Sequence, residues 1–182
     1  MATWNNFLGD DWNFALNWDI GVPDGIDAVA TFGLFQPAAG SADDINLTGN
    51  TFTVGMLGLT STVGDQYVLE NGTLIMQVSS GSAGIAVTTS GGGPALPSII
   101  NSNLTLQLNS ATTIDTATGA ELSVFGAISG TGALTKAGAG RLSLYKSNSF
   151  TGATAITAGS VLVTVESALA SSSGVTLSAG AE

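Results

Sequence analysis

Carboxylates are the first side chains in this sequence that could do chemistry. Asp10, Asp11, Asp19, Asp24 and Asp27 crowd the N-terminal segment, and Asp43 and Asp44 follow. Oxygen ligands at short spacing among Gly and Asn suit a hard cation such as Ca²⁺. The EF-hand spacing is absent, however, and so is the Gly-Gly-x-Gly-x-Asp nonapeptide of calcium-binding β-rolls. Solvated turn residues are the expected role, with no metal or cofactor. Glycoside hydrolysis would need two carboxylates across one groove. Asp115 and Glu121, with Lys136 further on, are too few and too scattered for that. The chain has neither His nor Cys, which excludes a Ser-His-Asp triad, a thiolate nucleophile and imidazole metal sites. The expectation is a protein that is not an enzyme.

The basic residues are few and local. Lys136, Arg141 and Lys146 are all there are, against 13 Asp and Glu, and the net charge is -10. Three cations in a row could hold a sugar or a phosphate, but in so acidic a chain exposed partners for local carboxylates are the expected reading. The acidity repels nucleic acid phosphates and anionic membranes, so neither is an expected partner. No apolar run approaches the roughly 18 residues of a membrane helix. The opening MATWNN has no basic region followed by an apolar one, so a mature form or an added Met1 is expected. GVTLSAGAE at the other end stops in mid-pattern, as a piece of a longer array would.

The elements that must position these residues are short strands. Charged residues make up only 9% of the chain, against about 25% in ordinary domains, and Gly, Ser, Thr and Asn replace them. β-branched residues in alternating runs dominate from Asn46 onward. The apolar i, i+2 pairs Tyr67/Leu69, Ile85/Val87, Leu104/Leu106, Leu122/Val124, Leu142/Leu144 and Val161/Val163 recur at a nearly constant step. Such a period reads as a solenoid with rungs of about 19 residues, stacked at the strand spacing of roughly 4.8 Å. Ile99, Ile114, Leu134, Ile156 and Val175 then read as a second inward face, and Gly119, Gly138, Gly140, Gly159 and Gly174 as corners. Arg141 and Ser143, alternating with Leu142 and Leu144, should face outward. Gly91 to Pro97 cannot lie in a central ladder. The segment from Ser90 to Leu96 is expected to be a corner insertion, with a binding loop as the sharper alternative.

A solenoid has ends, and the aromatic residues bear on them. Trp4, Phe7, Trp12, Phe14 and Trp18 cluster near the N-terminus. They could stack on sugar rings, so a glycan is a possible partner. Covering the open end of the apolar column is the expected role. At the other end Val175 and Leu177 begin a rung that no later residue can cover. Self-association through the solenoid ends is therefore expected, head-to-tail into fibres or end-to-end into a dimer.

Residues 130–159, GTGALTKAGAGRLSLYKSNSFTGATAITAG, carry a more specific signal. Leu134, Thr135, Lys136, Gly138, Gly140, Leu142, Leu144, Asn148, Phe150, Thr151, Gly152, Thr154, Ile156 and Gly159 fill a pattern that resembles the autotransporter-associated (passenger-associated) β-strand repeat of bacterial surface proteins. Thr3, Trp4, Trp12, Asn17, Trp18, Pro23, Asp27, Ala28 and Phe32 resemble the Trp-rich opening that precedes such repeats. The resemblance implies an all-β, right-handed parallel β-helix, with a cap or irregular first rung over residues 1–36, the helix over 37–182 and one family repeat at 130–165. It implies an extracellular or cell-surface location and a structural or adhesive role. A self-assembling filament subunit and a carbohydrate-binding β-helix are the alternatives.

Overall fold

The computed structural model describes residues 1–4, 11–33, 42–62, 64–90 and 96–182. Three sheets run along the molecule. An eight-stranded sheet stacks Ala2–Thr3, Val29–Phe32, Met56–Thr62, Ala83–Ser90, Thr112–Thr116, Leu134–Ala137, Thr154–Ile156 and Val175–Leu177 in chain order. A six-stranded sheet stacks Ala42–Asn46, Gln66–Glu70, Ser98–Ile100, Glu121–Val124, Arg141–Leu144 and Ser160–Val163. A four-stranded sheet stacks Thr51–Val54, Gly72–Met76, Leu104–Leu108 and Ala127–Gly130. The strands of each sheet pair in parallel, and from Val29 to Leu144 the chain visits the three sheets in strict rotation. The molecule is thus the expected parallel β-helix, three-sided in cross-section. The described residues contain no α-helix, only two single-turn 3₁₀ segments at Ala15–Asn17 and Glu166–Ala168.

Alternation fills the interior. In the eight-stranded sheet Ala2, Ala30, Leu57, Ile85, Ile114, Lys136, Ile156 and Leu177 share one register position and form a column along the whole solenoid. In the four-stranded sheet Phe52, Leu74, Leu106 and Ile128 do the same. Ala30, Leu57, Leu74, Leu106, Ile114 and Ile128 have no exposed surface. Because consecutive rungs pair through main-chain hydrogen bonds on three sides, this core needs few charges to hold it.

The expected rung length holds in the C-terminal part. Leu122 stacks on Leu142 and Leu142 on Val161, with Val124, Leu144 and Val163 beside them. Earlier rungs are longer. Val68 pairs with Ile99 and Leu57 with Ile85, so these turns take half as much chain again. Tyr67/Leu69, Ile85/Val87 and Leu104/Leu106 accordingly lie on three different sheets rather than in one ladder. An i, i+2 apolar pair marks an inward-facing strand, and a three-sided rung offers three of them.

Ile114, Leu134, Ile156 and Val175 share the eight-stranded sheet as expected, whereas Ile99 belongs to the six-stranded one, where Ile100 is the buried neighbour. Of the expected corner glycines, Gly138 and Gly159 adopt φ of +70° and +67°, a region open to glycine at no steric cost. Gly174 has neither a positive φ nor a crowded neighbourhood. Two expectations lie outside the described residues: the boundary between 36 and 37, and the Ser90 to Leu96 insertion over residues 91–95.

Candidate functional site

Asp11, Asp19 and Asp24 close the end of the solenoid, contrary to the expected role of solvated turn residues. Asp19 Oδ1 accepts from the Thr3 amide at 2.7 Å, and the Asp19 amide donates to the Thr3 carbonyl at 3.1 Å, along the first strand of the eight-stranded sheet. Asp24 Oδ1 accepts from the Thr53 amide at 2.8 Å, and Gly25 donates to the Thr53 carbonyl at 2.7 Å, along the first strand of the four-stranded sheet. Asp11 bridges Asn46, and the Trp12 amide donates to the Asn46 carbonyl at 2.9 Å, on the first strand of the six-stranded sheet. Each edge would otherwise present unpaired peptide groups. One segment, 11–25, caps all three. Asp27 Oδ1 accepts from the Ser79 amide at 2.9 Å. The bond from the Thr3 amide, against the opposing effect of burial, holds the Asp19 carboxyl below its usual range, and the Ser79 hydroxyl and amide do the same for Asp27. Among the described residues no three carboxylates gather where they could hold a metal. Asp10 lies outside them.

The three tryptophans plug the same end. Trp4, Trp12 and Trp18 are 1%, 0% and 4% exposed, with ring centroids 5.4, 5.6 and 5.3 Å from that of Phe32. Trp18 Nε1 donates to the Trp12 carbonyl at 2.8 Å and Trp12 Nε1 to the Pro23 carbonyl at 3.3 Å. Both indole donors are satisfied, as buried indoles require, and no ring face is left open for a sugar. Phe14 is exposed. Phe7 lies outside the described residues.

The three cations part company. Lys136 is fully buried, contrary to the expected exposed cation. It occupies a core column, and its Nζ donates to the carbonyls of Ala137, Gly138 and Ala158 at 2.6, 2.8 and 3.2 Å. Burial pushes its pKa down from the ordinary lysine value, and Asp115 partly restores it. Arg141 does face solvent and pairs with Glu121 at 2.5 Å. Ser143, expected outward, is buried beneath this pair and donates to Glu121 Oε1 at 2.7 Å, as Ser123 does at 3.1 Å. Burial raises the Glu121 pKa, but the bonds from Arg141, Ser143 and Ser123 outweigh it, and the net shift is downward. Lys146 Nζ donates to the Ser102 carbonyl at 3.3 Å. Asp115 and the buried Lys136 interact on the eight-stranded sheet, whereas Glu121 stands on the six-stranded one, so the three do not converge.

Asn148, from the motif, is buried and carries the ladder where regular strand ends. Its Oδ1 accepts from the Ile128 amide at 2.8 Å and its Nδ2 donates to the Ala168 carbonyl at 2.9 Å. At the C-terminal end Glu182 pairs with Val161 and Gly159 at 2.7 and 2.9 Å along the six-stranded sheet, and Ser149 and Thr151 donate to Ile128 and Gly130 on the four-stranded one, so only the eight-stranded edge shows no main-chain partner among the described residues. Val175 and Leu177 top the columns of Thr154 and Ile156, are 52% and 59% exposed, and lie on the last strand of the eight-stranded sheet. Leu162 and Val163 are exposed on the last strand of the six-stranded sheet. One feature escaped the sequence reading: Phe125 and Tyr145 stack on the outer surface at 4.3 Å with planes 9° apart. Each follows directly on an inward pair, one rung apart, so the period could have shown it.

The fold and these residues define a parallel β-solenoid with a Trp-rich, aspartate-capped N-terminal end. The passenger-associated-transport-repeat family model matches residues 134–163, the stretch from the strand that holds Lys136 to the end of Ser160–Val163. The repeat and the solenoid together fit an autotransporter passenger-associated repeat protein. No curated protein and no solved structure matches the chain.

Proposed function

We propose that the protein is a non-catalytic structural or adhesive β-helix module, displayed on a bacterial surface. The observation that carries this reading is that the passenger-associated repeat forms consecutive, directly stacked rungs of the solenoid. Asp19, Asp24, Glu121 and Lys136 are engaged in holding its edges and corners. Antibodies against residues 1–182 should label intact cells of the native host, and brief protease treatment of those cells should remove the label. Labelling only after lysis overturns the surface location.

A second reading, self-association, is favoured by the asymmetry of the ends. The N-terminal edges are capped, while Val175 and Leu177 are exposed at an edge for which the described residues show no partner. An uncovered edge over apolar columns is a template for another strand. For residues 1–182 taken alone, with the N-terminal edges closed, the pairing is C-terminal to C-terminal and gives a closed dimer. Sedimentation velocity should show a concentration-dependent dimer that Leu177→Lys abolishes. Fibres would overturn this geometry, and a monomer at all concentrations would overturn self-association.

A further inference from the structure

The outer face of the six-stranded sheet carries an apolar patch on a surface of hydroxyls, amides and carboxylates. Val68 and Ile99, neighbours in register, line an open pocket of about 270 Å³ with Asn101, Ser102 and Phe125. Tyr145 belongs to the rung after Phe125, whereas Val68, Ile99 and Asn101 belong to rungs before it. Tyr145 therefore covers one face of the Phe125 ring and the pocket lies against the other. Phe125 remains 37% exposed.

We propose that this pocket binds one unit of an uncharged hexopyranose glycan against the free face of Phe125. An aromatic face carries partial negative charge and attracts the polarised C–H groups on one side of a pyranose ring. The Val68 and Ile99 side chains supply a dry floor. At the rim Asn101 Oδ1 accepts from the Ser102 amide and hydroxyl at 2.7 and 3.4 Å, which leaves the second Asn101 amide hydrogen to donate and the Ser102 hydroxyl oxygen to accept. Lys146 ties that rim to the rung of Tyr145 through the Ser102 carbonyl, 3.3 Å away, so wall and rim are held together. The volume falls just short of the roughly 300 Å³ at which drug-sized sites begin, which suits a single ring.

Charge selects among glycans. Glu70 accepts from Asn101 Nδ2 at 3.2 Å beside the pocket and offsets the Lys146 cation held at the Ser102 carbonyl, while the chain as a whole carries a net charge of -10. Uronates and sialates are repelled. A quaternary ammonium would need ring faces on several sides, and here one is open. The site goes beyond the surface-module reading and does not depend on it.

The test uses the whole purified chain on an array of uncharged gluco-, manno- and galacto-oligosaccharides beside sialylated and uronic ones, with choline as a competitor. The expected result is binding of uncharged oligosaccharides that choline does not displace, with saturation transfer from aromatic protons. Phe125→Ser should weaken it about tenfold, and Phe14→Ser, at the exposed ring near the cap, should leave it unchanged. Should Phe125→Ser melt early, Phe125→Leu keeps the cover, removes the aromatic face and should weaken binding likewise. Absence of binding to every uncharged oligosaccharide, binding of acidic glycans alone, displacement by choline, or undiminished binding by both Phe125 variants would each overturn the proposal.

Discussion

The Lys136 ammonium donates to the Gly138 carbonyl at 2.8 Å from within the core column that Ile114 and Ile156 continue on either side. Two further carbonyls, of Ala137 and Ala158, complete its surroundings. The cation thus fastens the Gly138 corner to the next rung, whose Gly159 makes the equivalent turn. Lys136→Met keeps the apolar stem and removes the donor. Hydrogen bonds to charged groups contribute about 1.5–3 kcal/mol net, so urea denaturation should show a loss of about 2 kcal/mol. An unchanged midpoint would mean that the three carbonyls are satisfied without the ammonium.

Leu142 sits between Leu122 and Val161 with no exposed surface. Leu142→Ala removes buried methyl groups and leaves a cavity bounded by two rungs, at a cost of about 2–5 kcal/mol. Equilibrium unfolding measures it directly. A cost below about 1 kcal/mol, as at surface positions, would contradict the stacking of these rungs.

Glu121 contributes on the acid side, together with Asp19 and Asp27. Its native pKa is depressed, so the unfolded chain takes up the proton more readily. The stability it contributes is complete above the unfolded carboxylate value of about 4.3 and is lost as pH falls through the native one. The gap in stability between wild type and Glu121→Gln should therefore narrow from pH 6 to pH 3. Arg141 is about half exposed in the same pair, and Arg141→Ser should cost no more than about 1 kcal/mol. A gap that widens in acid would reverse the sign of the assignment.

On the alkaline side Tyr67 contributes a loss of stability. Burial, with the charges of Asp43 and Asp65 adding to it, pushes its pKa well above the ordinary tyrosine value. Above pH 10 the unfolded chain loses this proton and the native one keeps it, so stability falls with a slope of up to about 1.4 kcal/mol per pH unit. Lys136 acts in the opposite sense, since its native pKa is lowered and its contribution rises toward a pH of about 10.4. Tyr67→Phe should flatten the alkaline loss between pH 9.5 and 11.5 in thermal melts. An unaltered slope would show that Tyr67 ionises equally in both states.

The sequence by itself determined the local rules of this protein. Alternation at Leu122/Val124, Leu142/Leu144 and Val161/Val163 marks strands with one buried face, and the Gly138 and Gly159 corners recur with them at nearly constant spacing. Where rungs follow one another with no insertion, spacing and register coincide, so these ladders could be read directly. The tertiary structure decided the rest. Tyr67, Ile85 and Leu104 carry the same local pattern, yet only the lengths of the corner segments assign each to one of three sheets. Asp19 and Asp24 look like solvated turn residues until the solenoid brings Thr3 and Thr53 against them, 16 and 29 residues away. Lys136 reads as a surface cation until the next rung supplies the Ala158 carbonyl, 22 residues on. Local patterns encode which face of a strand is buried, whereas the partner of a polar group is fixed by stacking, which joins residues that the sequence keeps apart.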